Sequence, residues 1–97
     1  MAVVLKATWT ATEGSEAIVL DALEKLSPRS RDEPGCRVYQ AYRDPAEPRV
    51  FHIFEIYDDQ DAVAAHGASE HFERYAAGQA IPLLESRERA FFETIDA

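Results

Sequence analysis

Between Phe54 and Phe72 the chain gathers a carboxylate (Glu55), a phenol (Tyr57) and two imidazoles (His66 and His71). Such groups move protons near neutral pH, because histidine titrates near 6.5 and burial raises a carboxylate toward that range. His66 and His71 are five residues apart, which on one continuous helix would set them roughly 140° apart around the axis. Gly67-Ala68-Ser69 interrupts that helix, and a second helix turned by the break lets the two rings converge. The competing reading makes each a packing or hydrogen-bonding histidine. The stretch His66 to His71 is similar to the inverted zinc-protease pattern H-x-x-E-H, but it is one residue too long and contains a helix breaker, so no metal site is expected.

The elements that must position these groups follow from periodicity. Residues 3–10 are rich in β-branched and aromatic types and read as a first strand, stopped at Glu13-Gly14. Ile18, Val19, Ala22, Leu23 and Leu26 recur at three and four residues, which predicts an amphipathic helix over 15–26. Ser27-Pro28 could cap a short helical extension that ends at Glu33-Pro34-Gly35. Strands are expected over 36–43 and 49–57, separated by a turn whose Pro45 and Pro48 cannot sit inside a sheet. Asp58 and Asp59 start a helix that carries His66 and breaks at Gly67. Ser69 reads as the N-cap of another through Tyr75, and a last strand is expected over 87–95.

The order β-α-β-β-α-β is the ferredoxin-like pattern, an α+β fold with four antiparallel strands and helices on one face. The third strand is greasy on both sides: Val50, Phe54 and Ile56 share one face, Phe51, Ile53 and Tyr57 the other. Helices cover only one of them. A second copy of the same sheet across a two-fold axis is the simplest cover for the other, so a homodimer is expected.

With 97 residues, 46% of them hydrophobic, the chain fits a single domain over residues 1–97. A formal net charge of −8 with no Lys/Arg cluster argues against nucleic acid or an anionic membrane as partner. The first residues, Met1 to Lys6, form neither a secretory signal nor a membrane span. Cys36 is the only cysteine, so no intrachain disulfide and no thiolate zinc cluster can form, and a cytoplasmic location fits. No glycine-rich dinucleotide fingerprint is present.

Four segments carry a resemblance over nearly the whole chain: Trp9-Thr10-Ala11-Thr12-Glu13-Gly14, Glu33-Pro34-Gly35-Cys36, Phe54-Glu55-Ile56-Tyr57, and Ala65-His66 with Ser69-Glu70-His71-Phe72. They resemble the antibiotic biosynthesis monooxygenase family of dimeric α+β barrels, in particular its quinol-monooxygenase-like members. Haem-degrading relatives place an asparagine, a tryptophan and a ligating histidine where this chain has Ala7, Tyr57 and Ala76, so haem chemistry is not expected. The resemblance implies that the Glu55 face looks into a pocket between sheet and helices, where Arg43, Arg87 or Arg89 could instead pair with the carboxylate. His52, on the opposite face, is expected at the dimer interface.

The function implied is cofactor-independent oxygenation of a quinol or polycyclic phenol, with molecular oxygen as co-substrate. His66 or His71 would act as base, Glu55 would orient it, and Tyr57 would hydrogen-bond the small aromatic substrate between walls made by Trp9, Ile53, Phe72 and Tyr75. Proton-transfer isomerisation of a small carbonyl compound, or non-catalytic ligand binding by the dimer, are the alternatives.

Overall fold

The computed structural model describes residues 1–96; Ala97, the end of the expected unit, lies outside the described residues. Strand β1 (Val3–Ala11) is central, pairing antiparallel with β3 (Val50–Tyr57) on one side and β4 (Leu84–Glu93) on the other. Strand β2 (Cys36–Tyr42) completes the sheet against β3, giving the order β2-β3-β1-β4. Helices α1 (Glu16–Arg31) and α2 (Gln60–Gly67) and a π-helix (Phe72–Ala80) supply the roof. This is the expected ferredoxin-like α+β fold.

The alternation in β3 decides what the roof covers. Phe51, Ile53, Glu55 and Tyr57 are all buried under it, whereas Val50, His52, Phe54 and Ile56 on the other face are only half-buried. Val19, Ala22, Leu23 and Leu26 of α1 share one core cluster with Trp9, Phe51 and Tyr39. Burying each large side chain of that stripe contributes about 1.5–3 kcal/mol.

Three elements run differently from the sequence expectation. Helix α1 continues through Pro28 to Arg31 with no separate extension. Proline removes a backbone donor, but Ser27 Oγ donates to the Leu23 carbonyl (2.7 Å), Ser30 Oγ to Leu26 (2.9 Å) and Arg29 to Lys25 (2.9 Å), so side chains bond the carbonyls of this turn. The helix opened by Ser69, whose Oγ accepts from the Phe72 N–H at 3.2 Å, runs past Tyr75 to Ala80 with π-type turns. Gly78 suits that wider path, since a Cβ there would sit 3.0 Å from the Glu73 carbonyl. Strand β4 begins at Leu84 rather than 87 because it pairs with β1 as far as Ala11, through an irregularity after Thr10. It is exposed on nearly every residue, so apolar patterning carries no signal of its start.

Among the described residues no helix is long and apolar enough to cross a membrane.

Candidate active site

Three elements deliver the proton-handling groups to one place. Strand β3 brings Glu55 and Tyr57, α2 brings His66 on its last turn, and the turn between α1 and β2 brings Glu33. The approach of that turn to α2 depends on Gly35: a Cβ there would lie 2.5 Å from the Ala62 Cβ, closer than side chains tolerate. The Gly35 carbonyl also accepts from the Asp58 N–H at 2.9 Å. Asp59 caps α2 through its side chain to the Ala62 N–H.

Glu33 Oε2 is the hub. It lies 2.8 Å from His66 Nδ1 and 2.5 Å from His71 Nε2. A carboxylate only accepts, so both ring nitrogens carry hydrogen toward it. In neutral His66 this leaves Nε2 as a lone pair, and Nε2 lies 3.8 Å from Glu55 Oε1. Tyr57 Oη–H donates to the same Glu55 oxygen at 2.5 Å. His66 is held among rings: Phe72 edge-on at 5.2 Å, Tyr57 at 5.4 Å and Tyr39 at 5.6 Å between centroids.

Electrostatics follow from the burial. Desolvation pushes Glu55 up to about 7; the Tyr57 hydrogen bond opposes this, the Glu33 charge adds to it, and Arg89 and Arg87 draw it back. Desolvation lowers His66, while Glu33 opposes by favouring the imidazolium. Tyr57 is raised far above the phenol range, first by burial and then by Glu55, and so stays a donor. Burial likewise raises the Cys36 thiol to about 11, which leaves it unreactive.

A cavity of about 50 Å³ opens beside Glu55 and His66, walled by Leu5, Ala7, Trp9, Ile53 and Phe72 and rimmed by Arg87 and Arg89. It has room for one or two waters. A roomier groove of about 330 Å³ lies between α1 and the edge of β2, but no histidine lines it. Glu33, His66 and His71 could also hold a metal ion, their ligand atoms lying within 4.8 Å of one another. Both histidine-to-Glu33 distances are those of direct hydrogen bonds, so the cluster must open to admit an ion.

Residues 2–78 match the family described as antibiotic biosynthesis monooxygenase. The chain belongs to this family. Solved structures agree along nearly its whole length. A protein from Pseudomonas aeruginosa is 26% identical with a TM-score of 0.86, the match covering 97% of this chain and 94% of the other. One from Shewanella oneidensis is 27% identical with a TM-score of 0.87, covering 96% and 90%. A structure described as an antibiotic biosynthesis monooxygenase is 25% identical with a TM-score of 0.87, covering 98% and 99%. Among curated proteins no match is found.

Within this monooxygenase-family fold the expected residues divide. Glu55, His66, Trp9, Ile53 and Phe72 share the cavity. His71 does not: it stands behind Glu33, on a separate cleft with Arg29, Glu70, Arg74 and Tyr75. Tyr57, expected to meet substrate, is fully buried and turned onto Glu55. Tyr75, expected as a cavity wall, instead packs in the core with Arg29 and Arg74 over its ring at 5.1 and 5.2 Å. No arginine pairs directly with Glu55 among the described residues; Arg87 and Arg89 act from the rim. Glu33 was read only as part of a helix end.

Proposed function

We propose that the protein is a cofactor-independent monooxygenase of a quinol or polycyclic phenol, using molecular oxygen and no metal, and working as a homodimer. The observation that carries this reading is the orientation of His66, with Nδ1 tied to Glu33 and Nε2 facing Glu55 across 3.8 Å. An oxygen set to one side of that gap can lie about 2.8 Å from both groups. A base locked in one tautomer then meets a second group whose pKa, about 7, suits proton transfer at neutral pH.

His66 Nε2 takes the proton of the substrate hydroxyl, and Glu33 offsets the imidazolium charge that forms. The resulting aryl oxide is electron-rich enough to pass an electron to O₂. Recombination at a ring carbon gives a hydroperoxide, which loses water with a proton returned from His66 or Glu55. For a quinol the balance is quinol plus O₂ to hydroxyquinone plus water, every electron coming from the substrate. The cavity is smaller than an aromatic ring, so the ring enters as the flexible side chains of Arg87 and Arg89, both exposed on edge strand β4, swing aside.

The dimer reading is supported by the half-buried Val50, Phe54 and Ile56 beside exposed Tyr42 and Phe92 on the unroofed face. An oxygen electrode with a naphthoquinol tests the function: uptake that persists in a chelator is expected. The Glu55/His66 pair equally fits proton transfer on a carbonyl compound. An isomerase would consume no oxygen, and that result would replace the proposal.

A further inference from the structure

The cavity holds three cationic or donor groups that the proton chemistry leaves unused. Trp9 Nε1–H is buried with no hydrogen-bond partner among the described residues. Leaving such a donor unmet in a folded core is costly, and natural proteins seldom do it unless a ligand or water completes the bond. Trp9 is paired in register with Arg87 on β4, and Ala7, the next residue on the same face of β1, is paired with Arg89. Both guanidinium groups rim the same cavity, and neither has a carboxylate within ion-pair distance among the described residues. Two like charges two residues apart on one strand face repel; burial first, and then the neighbouring Arg89 charge, hold Arg87 below its ordinary value. In a chain of net charge −8 this small positive rim is a local exception.

The register also sets a length. Glu55 pairs with Leu5, one same-face step along β1 from the Ala7–Arg89 row. Glu55 on β3 and Arg89 on β4 flank β1, about 9.6 Å apart across the sheet and one same-face step of about 6.5–7 Å along it, so their Cα atoms stand roughly 12 Å apart. Side chains reaching inward from both strands leave a gap that an aromatic ring bearing a hydroxyl at one end and a carboxylate at the other can bridge, and Ala7 is small enough to leave the floor between them open.

We propose that Arg87, Arg89 and the Trp9 indole N–H form an oxyanion-binding end of the cavity, and that the substrate is an aromatic acid whose carboxylate docks there while its hydroxyl lies against His66 and Glu55. Arginine suits a carboxylate because its planar fork can donate two parallel hydrogen bonds. The one carboxylate inside the cavity, Glu55, is held partly neutral at pH 7 by its burial, so the rim remains net positive. This deepens the oxygenase reading and rests on the same cavity.

The test is anaerobic binding of two probes of the same size and ring, 2,5-dihydroxybenzoate and 2,5-dihydroxybenzamide, in which a charged carboxylate is exchanged for a neutral amide. Calorimetry and the fluorescence of Trp9, the sole tryptophan, follow it. The acid is expected to bind roughly tenfold more tightly than the amide, as one charge-assisted bidentate contact provides. Arg87→Gln with Arg89→Gln, both exposed and harmless to the core, should abolish the preference, and Arg87→Lys should restore part of it. Equal binding of acid and amide, binding of neither at millimolar concentration, or a preference that survives the double variant would overturn the proposal. Because no oxygen is present, acid-selective binding without later oxygen uptake would refute the oxygenase reading alone. Oxygen uptake on a quinol without acid preference would refute this inference alone.

Discussion

One strand shows two faces with different uses. On the roofed face of β3, Glu55 and Tyr57 sit beside Phe51 and Ile53 at 0–3% exposure; on the open face, His52 sits beside Phe54 and Ile56, all half-buried. Both faces carry a titratable group among apolar neighbours. Under the roof, desolvation and fixed partners act together to move the pKa values of Glu55 and His66 and to lock a tautomer. On the open face His52 stacks on Tyr42 at 5.3 Å and reaches Thr8 Oγ1 at 3.4 Å, with no carboxylate to orient it among the described residues. Burial with partners, rather than residue type, separates the two imidazoles.

Exchanging the histidines tests that contrast most severely. His66→Ala is expected to lower kcat by about 10²–10⁴-fold, the usual range for a positioned base. His52→Ala should leave kcat within about twofold of wild type, a change of well under 1 kcal/mol. Steady-state oxygen uptake checks both, with circular dichroism to confirm the fold. Equal losses would mean that the roofed face has no special role.

Glu55 gives the next largest effect and a sign. Its folded pKa, about 7, lies above its ordinary value of 4.5, so the folded state binds the proton more tightly than the unfolded state. The stability this provides is fully present below pH 4.5 and is lost as pH rises through 7, about 3 kcal/mol in all. His66 acts oppositely: its lowered pKa costs stability as pH falls below the ordinary histidine value of about 6.5. Glu55→Gln should therefore remove the fall in Tm between about pH 4.5 and 7 while leaving the His66-linked loss on acidification in place. An unchanged slope between pH 4.5 and 7 would contradict the assignment.

The open face predicts an assembly effect. Phe54→Lys places a charge on that surface and, if the proposed dimer forms through it, should weaken association by about 2 kcal/mol or more, as loss of an aromatic anchor does. Sedimentation would show a shift toward monomer, with the spectrum of Trp9 on the other face unchanged.

The sequence carried the fold because short-range periodicity encodes it: period two in β1 and β3, three-four spacing in α1, prolines and glycines at the turns. It also carried the convergence of His66 and His71, through the Gly67 break. It did not carry Glu33, which is 33 residues from His66 and comes close only through tertiary packing. The signal was there, since Glu33-Pro34-Gly35-Cys36 is one of the segments that carry the family resemblance, but a local reading made it only a helix stop. Tyr75 was misplaced for another reason. Tyr75 lies in a π-helix whose wider turns the sequence pattern does not show, and it packs in the core rather than in the cavity wall.

Gly35 sharpens the comparison with the smallest expected change. Its neighbour across the gap is the Ala62 Cβ, and a methyl group added at 35 would lie 2.5 Å from it. Neither atom is at the end of a flexible side chain, so backbone must move, at a cost of about 1–3 kcal/mol. The movement separates the turn carrying Glu33 from the helix carrying His66, and a 2.8 Å hydrogen bond tolerates little separation. Gly35→Ala should thus lose about tenfold in kcat, because catalytic positioning is sensitive at that scale. Ala62→Gly, added to it, removes the opposing methyl group and should restore most of the activity, although glycine within α2 costs about 1 kcal/mol of stability. Rescue of kcat without full rescue of Tm is the signature expected if Gly35 acts by letting Glu33 reach His66. A double variant that regains neither would mean that the turn supports the fold by some other contact.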